Sequence, residues 1–258
     1  MGETQATRGC SSFSLKMIAV ITMFIDHTAA IILARALVQG TAAGYVTQLN
    51  YGTWELIYEV MRAIGRMSFP IYCFLLVEGF LHTRNVGKYL GRMALFAVVS
   101  EIPFDLAFSN RLWNWNYNNV FVTLFLGLVV IVVIHWIDET IQVENKNLFY
   151  KYLKCFAIAA AILAGMVAAE VMHTDYSASG VAAISIMYVF RSNRLISFGS
   201  GVAALGIIGS PTEFYALLML YPIYKYHGVQ GPKAKYFFYA FYPVHILVLY
   251  EISRWMGL

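Results

Sequence analysis

The chain has 258 residues, of which 60% are hydrophobic and only 12% are charged. A soluble domain is roughly half apolar and about one quarter charged, so this chain has too few charges to cover a water-facing surface. Nearly unbroken apolar runs at 120–137 and 156–169 approach the roughly 20 residues that cross a bilayer core. The composition excludes an ordinary soluble domain and indicates a protein of the lipid bilayer.

Cysteine usage and net charge exclude further classes. Cys10, Cys73 and Cys155 have no paired spacing, so neither a disulfide framework nor a zinc site is indicated, and no metal is expected. The formal charge of +4 comes mainly from lysines and arginines between the apolar runs. This is the distribution of membrane topology signals rather than of a nucleic-acid surface. Nucleic acid is therefore not an expected partner.

Apolar runs bounded by charges and chain breakers predict about nine transmembrane helices, with eight or ten also compatible with the pattern. They cover about 15–38, 61–82, 88–108, 119–137, 151–171, 177–190, 195–209, 213–226 and 235–256. Although Arg8 and Lys16 precede the first run as in a secretory signal, Asp26 and His27 interrupt its centre, so we expect an uncleaved helix. We predict an all-α, polytopic bundle, with an N-terminal tail at 1–14 and one helical domain at 15–258.

Basic residues concentrate in every second connecting segment. These residues are Arg8, Lys16, Arg84, Lys88, Arg92, Lys146, Lys151, Lys154, Arg191, Arg194, Lys225, Lys233 and Lys235. The intervening segments are poor in basic charge and carry Glu55, Glu59, Arg111, Asp175 and Glu213. By the positive-inside rule this alternation predicts a multi-pass protein of the inner, cytoplasmic membrane with a cytoplasmic N-terminus and an external C-terminus.

Several ionisable residues fall inside the predicted spans, where insertion of each costs about 2.5–3.5 kcal/mol. Asp26 and His27 lie midway along the first helix, and His245 lies midway along the last. The predicted topology places a further polar set in the outer half or at the outer helix ends: Arg62, Arg66, Glu101, Asp105, Asn118, Asn119, Thr123 and Asp175. Glu78 falls toward the inner end of the second helix. This pattern predicts an outward-facing polar cavity that has the two histidines as its floor.

Two interpretations of these residues remain open at this stage. Arg66 with Glu101 or Asp105 could form an interhelical ion pair that only fixes packing. Alternatively, His27 acts as a general base, because a neutral imidazole accepts a proton from an amine or hydroxyl near neutral pH. Adjacent helical residues point about 100° apart, so the partner of Asp26 is expected from another helix: Lys16, an arginine or His245. The sequence lacks Gly-x-Ser-x-Gly, His-Glu-x-x-His and P-loop motifs.

Short stretches distributed along nearly the whole chain carry a family resemblance. They are 15–16 (LK), 25–27 (IDH), 62–66 (RAIGR), 68–72 (SFPIY), 78–79 (EG), 83–85 (TRN), Tyr89, Arg92, 100–105 (SEIPFD), 119–123 (NVFVT), 175–176 (DY), Gly180 and 235–245 (KYFFYAFYPVH). Together they resemble the TraX family, membrane proteins associated with N-terminal acetylation of conjugative pilin and related to the acyltransferase-3 group. In that group a basic residue lies eleven positions before a functional histidine, as Lys16 does before His27.

The resemblance implies acyl transfer from acyl-CoA, with acetyl-CoA as the expected donor, to an amine or hydroxyl of a peptide, pilin or glycan acceptor. His27 and Asp26 would be catalytic, and Tyr242, His245 or an arginine would stabilise the oxyanion. The expected CoA phosphate ligands are Lys16, Arg84, Lys88 and Arg92, with Arg191 and Arg194 nearby. The remaining polar residues would line the acceptor cavity or form structural ion pairs: Arg62, Arg66, Glu78, Glu101, Asp105, Asn119, Thr123 and Asp175. A proton-coupled transporter and a non-catalytic assembly factor for a surface polymer are the alternatives.

Overall fold

A computed structural model describes residues 9–141, 148–232 and 234–258, and these residues are helical almost throughout. Its extended contacts, within these ranges, are two isolated bridges, Cys10 with Tyr226 and Asn118 with Thr174. The all-α prediction is thereby confirmed for the described part of the chain. Among the predicted topology signals, Arg8, Lys146 and Lys233 lie outside the described residues.

The helices follow the predicted order. They are α1 (Ser12–Thr28), α2 (Ala34–Ala43), α3 (Tyr51–Gly65), α4 (Ser68–Leu81), α5 (Val86–Ser109), α6 (Val120–Thr140), α7 (Leu148–Val171), α8 (Ser177–Val189), α9 (Arg194–Ala204), α10 (Leu220–Tyr224) and α11 (Lys235–Trp255). One π-helical turn, Ala29–Leu33, joins α1 to α2, and a second, Leu205–Gly209, extends α9. The 3₁₀ helix Pro211–Met219 leads into α10. Each predicted helical segment coincides with one to three of these elements.

The largest boundary error concerns the second predicted helix. Its first part, α3, begins at Tyr51 rather than near 61, so Glu55 and Glu59 lie in a helix and not in a loop. Residues 51–60 are almost all exposed and mix acidic with apolar side chains. They therefore lack the unbroken apolar run from which the start of the second helix is predicted. Glutamate is nevertheless a good helix former, so these residues can be helical.

Within the described ranges, four helical stretches are long and apolar enough to cross a membrane: Ser12–Gln39, Tyr51–Leu81, Val120–Thr140 and Leu148–Val171. Ser177–Val189 and Arg194–Gly209 are apolar but shorter. Large aliphatic side chains such as Leu163, Val167 and Ile207 are exposed on the outside of the bundle, as a lipid-facing surface requires. The chain is a membrane protein, and the number of about nine spans stays a prediction.

The centre of the bundle is built around α8, where residues 181–185 are at most 2% exposed. Small residues let its neighbours approach closely. A Cβ atom added at Gly127 of α6 would lie 2.4 Å from Ile184 Cδ1, so the two helices pack with almost no gap. Such close approach between small residues is typical of membrane helix packing.

One end of the bundle collects basic segments. The Cys10 amide donates a hydrogen bond to the Lys225 carbonyl at 2.8 Å, which pairs the N-terminal segment with the turn after α10. Arg194 donates to the Tyr226 carbonyl at 3.3 Å and lies 3.8 Å from Glu78. These contacts bring the start of α1, the end of α4 and the start of α9 together, and we call this region the basic end.

A second charge cluster continues the basic end across α6, α7 and α8. Asp138 accepts from Lys154 at 3.0 Å and from Arg191 at 3.2 Å. The Arg191 guanidinium also lies 4.1 Å from the Tyr188 ring centroid. The basic segments that the sequence places on one side of a membrane are therefore grouped at one end of the fold where the structure describes them.

The opposite end, which we call the loop end, joins the α5–α6 loop to the α7–α8 loop. The Asn118 amide donates to the His173 carbonyl at 3.0 Å, and the Tyr117 hydroxyl donates to Asp175 Oδ1 at 2.6 Å. His173 and Ser177 have φ values of 47° and 45°, an unfavourable conformation for residues other than glycine. Asp175 and Tyr176 thus lie between two strained backbone positions, a feature that concentrates at functional sites.

Candidate functional site

The two histidines predicted near mid-depth form a direct contact between α1 and α11. His27 Nδ1 lies 2.6 Å from His245 Nε2, and His245 Nδ1 lies 2.6 Å from the Phe241 carbonyl oxygen. Since a carbonyl only accepts, His245 Nδ1 must carry the proton, and in the neutral pair His245 Nε2 accepts from His27 Nδ1. The lone pair of neutral His27 therefore resides on Nε2, so this nitrogen is the one that can accept a proton as a general base.

Aromatic rings hold this pair in place. Phe241 stacks on His245 with centroids 4.5 Å apart, and Tyr242 meets the His27 ring edge-to-face at 5.8 Å. His27 and His245 are 9% and 5% exposed. The Tyr242 hydroxyl is buried and has no hydrogen-bond partner among the described residues. It is thus a donor available to a bound group beside His27.

A cavity of about 320 Å³, which we call the long cavity, runs from the basic end to the histidine pair. Lys16, Thr83 and Arg92 line it toward the basic end, which we call its entrance, and His27 and Tyr242 line it beside the histidine pair. Between them the walls are mostly apolar, from Leu75, Leu76, Tyr89, Met93 and Leu124. The shape suits a slender ligand with an anionic group at one end.

The cations at this entrance have no acidic partner in the described structure. Lys16 Nζ lies 5.5 Å from the Phe238 ring centroid, and the Arg92 guanidinium lies 5.6 Å from that of Tyr89. Arg92 Nε is buried without a hydrogen bond, and no described carboxylate lies within 4.0 Å of either cation. An unpaired buried cation is costly, so the entrance is suited to an anion.

The remaining predicted phosphate ligands lie elsewhere. Arg84 and Lys88 are exposed and do not line the long cavity. Arg191 and Arg194 are already engaged with carboxylates at the basic end. Of the predicted basic set, the structure therefore brings together only Lys16 and Arg92 at this cavity.

A second cavity of about 310 Å³, the polar cavity, lies toward the loop end. Two ion pairs cross it: Arg62 donates to Asp26 Oδ2 at 2.7 Å, and Arg66 donates to Glu213 Oε1 at 2.9 Å. The expected pairing of Arg66 with Glu101 or Asp105 is wrong. The 3₁₀ helix after α9 brings Glu213 to Arg66 instead, a contact between residues 147 positions apart.

Asp175 adds a third carboxylate to this cavity. Burial raises the pKa of its side chain, whereas the hydrogen bond from Tyr117 and the charges of Arg62 and Arg66 lower it. Asp26 and Glu213 are each paired with an arginine, whereas Asp175 is bound by a neutral hydroxyl. Of the three carboxylates, Asp175 can therefore most readily exchange its hydrogen-bond partner for a bound molecule.

The long cavity and the polar cavity adjoin. Four residues line both of them: Asp26, His27, Asp175 and Tyr176. His27 is therefore reached from the basic end through one cavity and from the loop end through the other. This arrangement allows a base to act between two ligands that enter from opposite ends.

Of the eight residues predicted to line the acceptor cavity or form structural ion pairs, five line neither cavity: Glu78, Glu101, Asp105, Asn119 and Thr123. The Asn114 amide donates to Asp105 at 2.6 Å, and the Asn119 side chain donates to both Glu101 and the Ala97 carbonyl. Asn119 also caps α6 by accepting from the Phe121 amide. Glu101, Asp105 and Asn119 therefore fasten the α5–α6 loop, so their polarity serves packing, because buried polar groups require hydrogen-bond partners.

The sequence pattern missed several contributors to the site. The sequence pattern identifies Glu213 only as a loop charge, although two arginines at i, i+4 spacing indicate a need for two acidic partners. The sequence pattern gives Tyr117 no role, and it includes Tyr176 only as part of the 175–176 stretch, because tyrosines at helix ends are common in membrane proteins. Arg35 was also overlooked; it donates to Ser253 at 3.0 Å and to the Ala107 carbonyl, which joins α2, α5 and α11.

Comparison with known proteins gives a consistent relationship over almost the full chain. Residues 11–253 match the TraX family, described as TraX protein. The chain is 29% identical over 264 residues to the probable fimbrial assembly protein FimC, serogroup H1, of Dichelobacter nodosus, and the alignment covers 93% of this chain and 94% of that protein. No solved structure matches the chain. A family match of this extent shows that this membrane protein belongs to the TraX family.

Proposed function

We propose that this protein is a membrane-embedded acyltransferase that moves an acetyl or other short acyl group from cytoplasmic acyl-CoA to an amine or hydroxyl of a peptide, pilin or glycan. The observation that carries the proposal is the hydrogen-bonded His27–His245 pair at the junction of two cavities that lead to opposite ends of the bundle. The basic end would face the cytoplasm by the positive-inside rule, in a multi-pass arrangement in the inner membrane.

The long cavity is the proposed donor site. Its apolar walls would surround the pantetheine arm, while Lys16 and Arg92 would bind phosphate groups of CoA at the entrance. The fit is supported by the unpartnered, buried Arg92 Nε. Arg84 and Lys88, which lie outside the cavity, would contribute only to the general positive potential at this end.

The polar cavity is the proposed acceptor site. Asp175 would accept a hydrogen bond from the incoming amine or hydroxyl, and the arginine–carboxylate pairs would keep the cavity walls in place. Asp26 contributes through its pair with Arg62 rather than through contact with the His27 ring. The acceptor would thus approach His27 from the side opposite to the thioester.

The proposed chemistry follows from the proton positions. His27 Nε2 would remove the proton from the acceptor as its nitrogen or oxygen attacks the thioester carbonyl, and His245 Nε2 would stabilise the resulting imidazolium through the Nδ1 hydrogen bond. The Tyr242 hydroxyl would donate to the oxyanion. On collapse the carbon–sulfur bond breaks, and His27 returns the proton to the CoA thiolate. Neutral His245 has no unengaged N–H with which to bind the oxyanion. Its role is therefore to accept the hydrogen bond from His27 Nδ1.

The test is turnover by the purified protein in detergent or liposomes. Release of CoA thiol from acetyl-CoA should depend on an amine or hydroxyl acceptor, and His27→Ala should abolish it while the protein still elutes as a folded species. The matched control is His82→Ala, because His82 is exposed at the end of α4 and lines neither cavity. Full turnover by His27→Ala would remove His27 from the mechanism.

A second candidate function is a non-catalytic assembly factor, which the name of the FimC relative favours. Complementation separates the two functions. A His27→Ala protein that restores assembly of the surface polymer as well as the unmodified protein would favour the assembly role. A protein that is inserted normally but fails to restore the polymer would favour catalysis.

A further inference from the structure

We infer that Tyr176 is a partition between the long cavity and the polar cavity, and that its ring directs the acyl group to the acceptor by keeping water from the thioester. This role rests on the proposed acyl transfer, but its physical basis, a barrier between two polar openings, can be measured without any turnover.

The position of Tyr176 carries this inference. The residue lines both cavities, and its ring stacks on Phe69 with centroids 3.5 Å apart and planes inclined by 10°. Phe69 is 3% exposed and belongs to the wall of the long cavity alone. The stacked pair therefore forms an aromatic layer at the boundary, with the tyrosine on the side of the polar cavity.

The backbone gives this ring little room to withdraw. Tyr176 lies between His173 and Ser177, whose left-handed conformations fix the path of the loop. A Cβ atom added at Gly180 would lie 2.7 Å from Tyr176 Cβ, so α8 already packs tightly behind the residue. The Gly180 amide also donates to the Tyr176 carbonyl at 2.9 Å. The ring is held at the boundary by Phe69 on one face and by the packing of its own backbone and Cβ against α8.

The other residues shared by the two cavities cannot form such a barrier. Asp26 is bound by Arg62, His27 by His245 and Asp175 by Tyr117. All three are hydrophilic side chains, which attract water rather than exclude it. Tyr176 alone among the four presents a broad apolar face.

The barrier matters because water competes with the acceptor. In transfer, the acceptor loses a proton to His27, a bond forms between the acceptor atom and the acyl carbon, and CoA leaves as a thiol after receiving that proton. In hydrolysis, water takes the place of the acceptor, and the products are the free carboxylic acid and CoA thiol. Exclusion of water from a closed site suppresses such side reactions.

The same geometry has a consequence for the membrane. Each cavity leads from one end of the bundle to the Tyr176 boundary. Loss of the ring would join them into a continuous hydrated path lined by Asp26, His27 and Asp175. Protons could then cross the bilayer whether or not acyl-CoA is present.

The closing experiment compares Tyr176→Ala, Tyr176→Phe and Tyr152→Ala proteins in liposomes that contain a pH-sensitive dye. Tyr152 is a matched control because it is an exposed tyrosine of α7 and lines neither cavity. After an imposed pH step, Tyr176→Ala liposomes should lose the gradient, whereas Tyr176→Phe and Tyr152→Ala liposomes should retain it like the unmodified protein. In the same preparations Tyr176→Ala should release CoA without acceptor and form free acetate.

Retention of the gradient by folded Tyr176→Ala protein would overturn the partition role, whatever its transfer activity. If that variant does not fold, Phe69→Leu, which removes the stacking partner of Tyr176, must produce the leak instead. Retention of the pH gradient by Phe69→Leu liposomes would equally overturn the inference. Because the leak requires no acyl-CoA, a leaky Tyr176→Ala variant of a protein whose unmodified form shows no acyl transfer would sustain the barrier while it refutes the proposed chemistry.

Discussion

The long cavity and the polar cavity both contain cationic side chains, but these cations have opposite surroundings. In the polar cavity, Arg62 and Arg66 are each within 2.9 Å of a carboxylate. At the entrance of the long cavity, Lys16 and Arg92 have aromatic rings as neighbours and no carboxylate partner within the described chain. Paired charges maintain the shape of a site, whereas unpaired ones remain available to a ligand.

The histidine pair lies where these two environments meet, so its removal should have the largest effect. We expect His245→Ala to lower kcat by about 10²–10⁴-fold, the usual contribution of general acid–base catalysis. Without the His245 ring, His27 Nδ1 has no hydrogen-bond acceptor, and the lone pair of His27 is no longer fixed on Nε2. The measurement is the rate of acceptor-dependent CoA release at saturating acetyl-CoA. His82→Ala should leave this rate unchanged. A fully active His245→Ala protein would exclude a catalytic role for the hydrogen bond between the two histidines.

The sequence predicts the helical architecture and the central residues because they depend on local signals. Apolar runs identify the helices, and ionisable groups within those runs, such as His27 and His245, are identified by their unfavourable position. The partners of these groups depend on how the helices pack. The Arg66–Glu213 pair joins elements 147 positions apart, and no local spacing rule connects them.

The acidic residues of α5 show a second limit of sequence reasoning. Glu101 and Asp105 are 3% and 0% exposed, as their buried position in the pattern suggests, but they bind asparagines of the following loop rather than an arginine. A buried carboxylate can be satisfied by an ion pair or by amide donors. The sequence alone does not distinguish these partners.

The second prediction tests whether the polar cavity is held by its ion pairs. Arg62→Ala should lower the stability of the folded protein by about 3 kcal/mol, because it leaves Asp26 unpaired in a largely buried place. Thermal unfolding in detergent measures the effect. Replacing both partners by leucine should recover most of the stability while the activity stays low. The control is Arg254→Ala, whose exposed pair with Glu251 should contribute at most about 0.5 kcal/mol.

The third prediction alters the position of Asp26 without removing a charge. A Cβ atom at Gly65 would lie 2.0 Å from Asp26 Oδ1 and 2.3 Å from its Cβ, so Gly65→Ala must push the aspartate away from Arg62. We expect a loss of about 2 kcal/mol from overpacking, together with reduced turnover. Gly91→Ala is the matched control, because nothing lies within 4 Å of a Cβ added there. Equal stability of the two alanine variants would contradict this close contact.

The smallest effects are expected at the entrance of the long cavity, where they separate true phosphate contacts from general positive potential. Lys16→Ala and Arg92→Ala should each raise KM for acetyl-CoA about tenfold, because a hydrogen bond to a charged group contributes about 1.5 kcal/mol. Lys88→Ala, at an exposed position outside the cavity, should change KM by less than about twofold. Initial rates over a range of acetyl-CoA concentrations give these values. Similar KM increases in all three variants would mean that CoA is attracted by the charge of the whole basic end, and the difference between unpaired and exposed cations would then have no role in donor binding.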